Sequence, residues 1–176
     1  MLHEILTLLA SLIHEATPIL QQYGLAAVFV ALAVENLGVI FAPGESVIVT
    51  ASFLAAKSVF PIWEVLVLGI LACVLGQYAA YGLGARYGHV GLLRYGRYVG
   101  IKPVMIDRVH TFFSRFGVPV VLVGRFIIPL RQLQGYLAGS AEMPWISYAI
   151  WNAMGAVLWV SAWGIGTFLL AKNIPV

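Results

Sequence analysis

Apolar residues run almost unbroken from Trp145 to Ala171, with no charged residue between them. As a helix, such a run is long enough to cross a hydrocarbon core of roughly 30 Å. Ile62 to Ala85 reads the same way, interrupted by Glu64 near its start and by Gln77. Both stretches predict transmembrane helices. Two further apolar stretches are broken in the middle. Leu25 to Ala56 is split by Glu35-Asn36 and by Pro43-Gly44-Glu45, and Val118 to Ala138 by Arg125, Pro129 and Arg131. Each half falls short of the roughly 17–25 residues a spanning helix needs. Short apolar halves hinged at Pro and Gly, with charge at the hinge, predict re-entrant hairpins or discontinuous helices. The competing reading makes Pro18 to Val34 and Glu45 to Phe60 two full spans.

Polar periodicity adds two surface helices. From His3 to Glu15, Ile5, Leu6, Leu8, Leu9, Leu12 and Ile13 take one side, and Glu4, Thr7, Ser11, His14 and Glu15 the other. This predicts an amphipathic N-terminal helix over residues 1–16 in the membrane interface. Its acids, and the lack of a basic n-region or an A-x-A site, argue against a cleavable signal peptide. Val104 to Phe116 is the second, opened by Lys102-Pro103 and closed by Gly117. It belongs to a basic linker over 86–116, where six of the ten Lys/Arg face one acid, Asp107. By the positive-inside rule this linker is cytoplasmic.

The order of elements occurs twice. Tyr23-Gly24 precedes the first broken stretch and Phe116-Gly117 the second; Leu54-Ala55-Ala56 and Leu137-Ala138-Gly139 end them. Phe60-Pro61 and Met143-Pro144 then open the long helices, and Gly82-Leu83-Gly84 and Gly164-Ile165-Gly166 lie toward their ends. With one true crossing per half, the halves are inverted relative to each other, a transporter architecture. The predicted fold class is an all-α integral membrane bundle: an inverted repeat with two opposed re-entrant, broken-helix hairpins, plus transmembrane helices and amphipathic interface helices. It forms a single membrane domain over 1–176, with the first repeat at 18–85 and the second at 117–172.

Composition agrees. Hydrophobic residues make up 61% and charged residues 10% of the chain, against roughly 25% charged in a soluble domain. Lipid must be the solvent. Cys73 is alone within an apolar run, and the four histidines are dispersed without metal-ligand spacing. No H-E-x-x-H, G-x-S-x-G or phosphate-binding loop is present. The chain is expected not to be an enzyme and to carry no cofactor or metal. Its basic residues adjoin membrane segments, which argues against a nucleic-acid partner.

Four charged residues sit within the broken segments: Glu35, Glu45, Arg125 and Arg131. An ionisable group at membrane depth is a functional hypothesis by default. Arginine's planar fork matches phosphate oxygens, so Arg125 and Arg131, with Gln132 and Gln134 as neutral donors, suit an anionic head group. Pro43, Gly44 and Pro129 are the expected hinges. Glu45 starts one half-helix and Glu35 ends another; carboxylates in such contrasting places suit proton coupling or gating. The bland alternative is a set of buried Glu–Arg pairs that fix packing only, a costly device in so small a membrane domain. Trp151, Trp159 and Trp163 recur with Gly155 at helical spacing and read as helix packing. Asn152, Ser147 and Ser161 read as interhelical hydrogen-bond partners, and Gln77 as a polar group near one end of its helix.

Gly124-Arg125-Phe126-Ile127-Ile128-Pro129-Leu130-Arg131, followed by Leu137-Ala138-Gly139, resembles the G-R-F-x-P-x-x-R…A-G signature of the DedA family, also called the SNARE-associated or VTT-domain family. Glu35-Asn36, Pro43-Gly44-Glu45, Gly82 to Gly88 and Tyr95-Gly96-Arg97-Tyr98 agree with it, and the likeness covers about residues 18–171. The resemblance implies two facing re-entrant hairpins, with essential acids at Glu35 and Glu45 and essential arginines at Arg125 and Arg131. It implies lipid translocation: bacterial members recycle undecaprenyl phosphate, others move phosphatidylethanolamine or scramble phospholipids, and some are linked to the proton-motive force. Two departures bear on substrate choice. Gly76-Gln77 stands where many members have Gly-Asp, and Gln132 to Tyr136 lacks a second proline. The expected function is therefore a flippase for undecaprenyl phosphate in the bacterial cytoplasmic (inner) membrane, a multi-pass protein with proton coupling as an option. Its partners are a lipid with a phosphate head group and the surrounding membrane lipids, with a homo-oligomer left open. The alternatives are a phospholipid scramblase, a proton-coupled antiporter of small cations or drugs, and a non-transporting scaffold.

Overall fold

The computed structural model describes residues 23–38, 44–95, 104, 111 and 119–173. The expected N-terminal helix over 1–16, the Pro43 hinge and most of the basic linker with its amphipathic segment lie outside the described residues. Among those described, all regular structure is helical: α1 Leu25–Asn36, α2 Gly44–Ala56, α3 Ile62–Tyr95, α4 Pro119–Gly124, α5 Ile128–Ser140 and α6 Trp145–Asn173.

Length sorts these helices into two kinds. Within α3 and α6, Ile62–Gly88 and Trp145–Asn173 are long and apolar enough to cross a membrane. By contrast, α1, α2 and α5 hold 12, 13 and 13 residues and α4 only 6. At 1.5 Å per residue none of the four exceeds about 20 Å. The two broken stretches of the sequence are thus pairs of short helices. The first long helix continues past the expected end at Ala85 to Tyr95, with a break at Gly88 (φ 59°, ψ −164°) that only glycine adopts without strain.

The exposure pattern is that of a protein dissolved in lipid. Trp63, Val67, Leu71 and Leu75 form an exposed i, i+4 stripe on α3, and Ile146, Ile150, Met154 and Leu158 one on α6. Gln77 and Asn152, on the opposite sides of the same helices, are fully buried. This is a membrane protein, with apolar stripes on its outside and polar side chains buried among its helices.

Packing follows a crossed scheme. Each long helix lies on the first short helix of its own half and the second of the other half. Thus α3 packs on α1 and α5, α6 on α4 and α2, and the two long helices meet. One apolar cluster joins α1, α2, α3 and α6 around Leu32, Ile48, Ala72 and Trp159; another joins α4, α5 and α6 around Val121, Leu137 and Tyr148. The α3–α5 contact is close enough for backbones to touch. A Cβ on Gly84 would stand 2.8 Å from Tyr136 Cα, and one on Gly135 2.7 Å from Ala80 Cβ. Small residues at such a contact maximise van der Waals packing where lipid provides no hydrophobic drive.

The neighbouring glycines Gly82 and Gly84 test this. A Cβ on Gly82 meets nothing within 4 Å. Gly84→Ala is expected to destabilise the detergent-solubilised protein by about 1–3 kcal/mol through overpacking, and Gly82→Ala to leave its melting temperature unchanged or slightly raised. Equal effects of the two would contradict the close α3–α5 contact.

Candidate functional site

The breaks in the short-helix pairs place the four charged residues. Glu35 lies in the last turn of α1, which closes through Leu37 and Gly38 (φ 101°). Gly44 opens α2, so Glu45 falls in its first turn, where the helix N-terminus favours a carboxylate. In the second half, α4 ends at Gly124, Arg125 and Phe126 turn, and extended Ile127 (φ −111°, ψ 112°) caps α5. Pro129 sits in the first turn of α5, where a missing N–H costs nothing. It stands one residue nearer Arg131 than in the signature given above. The Arg131 backbone N–H then donates to Ile127 O at 2.8 Å.

Arg131 is shared between both acids. Its Nη1 donates to Glu45 Oε1 at 2.8 Å and its Nη2 to Glu35 Oε1 at 2.5 Å. The guanidinium carbon lies 4.7 Å from the centroid of the Trp159 ring, a cation–π contact from α6. Arg131 and Glu35 are buried, whereas the Glu45 side chain is 38% exposed. Glu45 is therefore the open side of the cluster. A Cβ on Gly44 would overlap Glu35 Oε2, so the glycine that opens α2 also makes room for the other acid.

Arg125 is different. It is fully buried, and among the described residues no carboxylate pairs with it. Its Nη1 donates to Asn152 Oδ1 at 2.6 Å and its Nη2 to Asn36 Oδ1 at 3.3 Å. Asn36 is itself oriented by donating to Leu32 O at 2.8 Å. Gly155 leaves room for the arginine's stem, since a Cβ there would come within 3.2 Å of Arg125 Cδ. The expected alternative of Glu–Arg pairs involving both arginines is corrected on this point. Amide oxygens fill the position opposite Arg125, and both acids converge on Arg131.

Gln132 and Gln134 are buried beside Arg131. Among the described residues, neither side-chain polar atom of Gln134 has a hydrogen-bond partner, nor do Arg125 Nε, Arg131 Nε, Asn152 Nδ2 and Glu35 Oε2. Most of these atoms are donors. Buried donors without partners are rare, and acceptor oxygens are the chemistry that satisfies them. Among the described residues no group of metal-ligating side chains forms.

Three participants were hidden in the sequence. Trp159 does pack in the core, but it also supports Arg131; its spacing alone carries no sign of this. Asn152, read as an interhelical hydrogen-bond partner, serves Arg125. Gln77, expected near one end of its helix, lies near the middle of the apolar segment Ile62–Gly88, and its amide reaches the backbone of Arg131.

The VTT domain model matches residues 42–167. The chain belongs to the VTT-domain (DedA) family. Glu45, Arg125 and Arg131 fall within the matched VTT segment, and Glu35 just before it. An uncharacterized membrane protein of Synechocystis is 33% identical over 80% of this chain and 64% of its own length. Undecaprenyl phosphate transporter A of Bacillus subtilis is 26% identical over 86% of the chain and 74% of its own length, and that of Staphylococcus aureus 25% identical over 90% and 77%. The chain thus spans a little under two thirds of the length of the Synechocystis VTT-domain relative. No solved structure matches it.

The shared arginine predicts an asymmetry in stability. Arg131→Met leaves two facing carboxylates, one of them buried, and is expected to cost on the order of 3–5 kcal/mol. Glu35→Gln leaves Arg131 paired with Glu45 and costs less. Thermal unfolding of the two variants in detergent measures the difference; equal losses would mean that the two acids do not depend on one arginine.

Proposed function

We propose that this VTT-domain protein is a lipid transporter of the bacterial cytoplasmic membrane, translocating a lipid with a phosphate head group of the undecaprenyl phosphate kind. The observation that carries the reading is the unequal partnering of two buried arginines. Arg131 is paired with two acids, while among the described residues Arg125 donates to amide and carbonyl oxygens and forms no salt bridge. A buried cation without a counter-charge is expensive, and an arriving phosphate supplies that charge with bidentate geometry. The names of the Bacillus and Staphylococcus relatives support the choice of lipid.

The proposed mechanism follows from charge. The four groups sum to zero when all are ionised, two cations against two anions. A phosphate brings further negative charge into a low-dielectric place, where like charges repel strongly. In this reading the head group binds Arg125 first, then draws Arg131 away from Glu45, the half-exposed acid. A proton taken up by a released carboxylate restores neutrality, which couples lipid movement to protons. Gln132 and Gln134 supply neutral hydrogen bonds to the phosphate, and Pro43, Gly44 and Pro129 serve as hinges. Only the head group needs this polar path; the tail stays in the bilayer.

The re-entrant, inverted arrangement belongs to the same proposal. It is supported by short-helix pairs of about 20 Å or less and by the crossed packing, in which each long helix holds an arm from both halves. Two halves exchanging arms around one polar centre suit alternating access, one half closing as the other opens.

The test is binding of undecaprenyl phosphate to the purified protein, beside phosphatidylethanolamine and phosphatidylglycerol. Selective binding is expected for the carrier lipid, weakened roughly tenfold or more by Arg125→Ala or Arg131→Ala, the loss of a charge-assisted hydrogen bond. Equal binding of the three lipids, or indifference to both arginines, would sink the carrier-lipid reading in favour of a scramblase.

A further inference from the structure

Gln77 is fully buried at the middle of α3 and carries no charge. Its Nε2 donates to the backbone carbonyl of Arg131 at 2.5 Å, and its Oε1 accepts from the Tyr148 hydroxyl at 3.0 Å. The two partners fix which way the amide faces, because a backbone carbonyl only accepts. Tyr148 comes from α6, so three helices meet at this side chain.

Close packing holds the same point from both sides. A Cβ on Gly135 of α5 would stand 2.6 Å from Gln77 Oε1. A Cβ on the preceding Gly76 would stand 2.9 Å from Asn36 Cβ on α1. Gly76-Gln77 is therefore the place where one turn of α3 touches both the end of α1, which carries Glu35 and Asn36, and the first turn of α5, which carries Arg131. Leucine neither donates nor accepts, and an ionised carboxylate would face the Arg131 carbonyl with two acceptors.

We propose that Gln77 is a positioning residue for Arg131. Oriented by Tyr148, it sets the first turn of α5 through the backbone, so that the guanidinium meets Glu35 and Glu45 without Gln77 touching the head group. The inference rests on the proposed transport role of Arg131, and the experiment separates the two.

The test is a double-mutant cycle on the full chain in detergent, Gln77→Leu against Glu35→Gln, read as melting temperature. Undecaprenyl phosphate binding is measured on the same four proteins. Glu35→Gln is expected to lower the melting temperature less than about half as far in the Gln77→Leu background, as coupled neighbours are non-additive. Lipid binding is expected to fall about tenfold in Gln77→Leu, the loss of one buried hydrogen bond, and less in Tyr148→Phe. Should Gln77→Leu not fold, Tyr148→Phe, which removes one hydroxyl, replaces it in the cycle. Additive changes in melting temperature overturn the positioning role, because a merely structural glutamine would lower stability without altering the Arg131–Glu35 contact. If the unaltered chain binds no undecaprenyl phosphate, the transporter reading fails while the cycle still decides the role of Gln77.

Discussion

One guanidinium, that of Arg131, ties together parts of the chain that lie far apart in sequence. It reaches Glu35 at the end of α1, Glu45 at the start of α2 and the face of Trp159 on α6, and it hangs from the first turn of α5. Arg131 and Glu35 are buried, and a buried charge stripped of its partner is costly, so each depends on the other being in place. The geometry of four helices is in this way conditional on one side chain. The ends of the short helices, rather than their apolar faces, are where the two halves are joined.

The second arginine is held differently. Arg125 is equally buried, yet among the described residues its hydrogen-bond acceptors are amide oxygens and a backbone carbonyl. Two identical side chains are given unlike neighbours: one is saturated by charge, the other solvated by dipoles. Such a pair is polarised, and in the proposed mechanism an anion meets Arg125 before Arg131. The exposure of Glu45 adds a direction, because only one member of the saturated cluster faces outward.

Much of this was legible in the chain. The unbroken apolar run after Trp145 announced a long apolar helix, and the interruptions at Glu35-Asn36, Pro43-Gly44-Glu45 and Arg125 to Arg131 announced the short pairs. The four charges that could not be left in lipid were for that reason identifiable as a group. Their partnering was not legible. Glu35 and Arg131 lie 96 residues apart, and no local pattern says which acid meets which arginine or that asparagines intervene. Trp159 was masked by its own spacing, since a residue that packs and a residue that supports a cation recur with the same helical period. Gln77 looked terminal because Arg86 and Tyr87 resemble the end of a span, whereas a glycine at position 88 lets the helix bend and continue.

The α3–α5 seam has a consequence for how such a protein diversifies. Where Gly84 lies on the backbone of Tyr136, and Gly135 on Gln77 and Ala80, hydrogen atoms already fill the available space. Side chains there have no room to grow, so the seam is a fixed rail. Where α6 meets α2 and α3 the neighbours are different: a Cβ on Gly164 would meet the side chains of Leu66 and Ser52, which can be resized one at a time. Growth of a side chain is thereby easier beside Gly164 than along the α3–α5 seam.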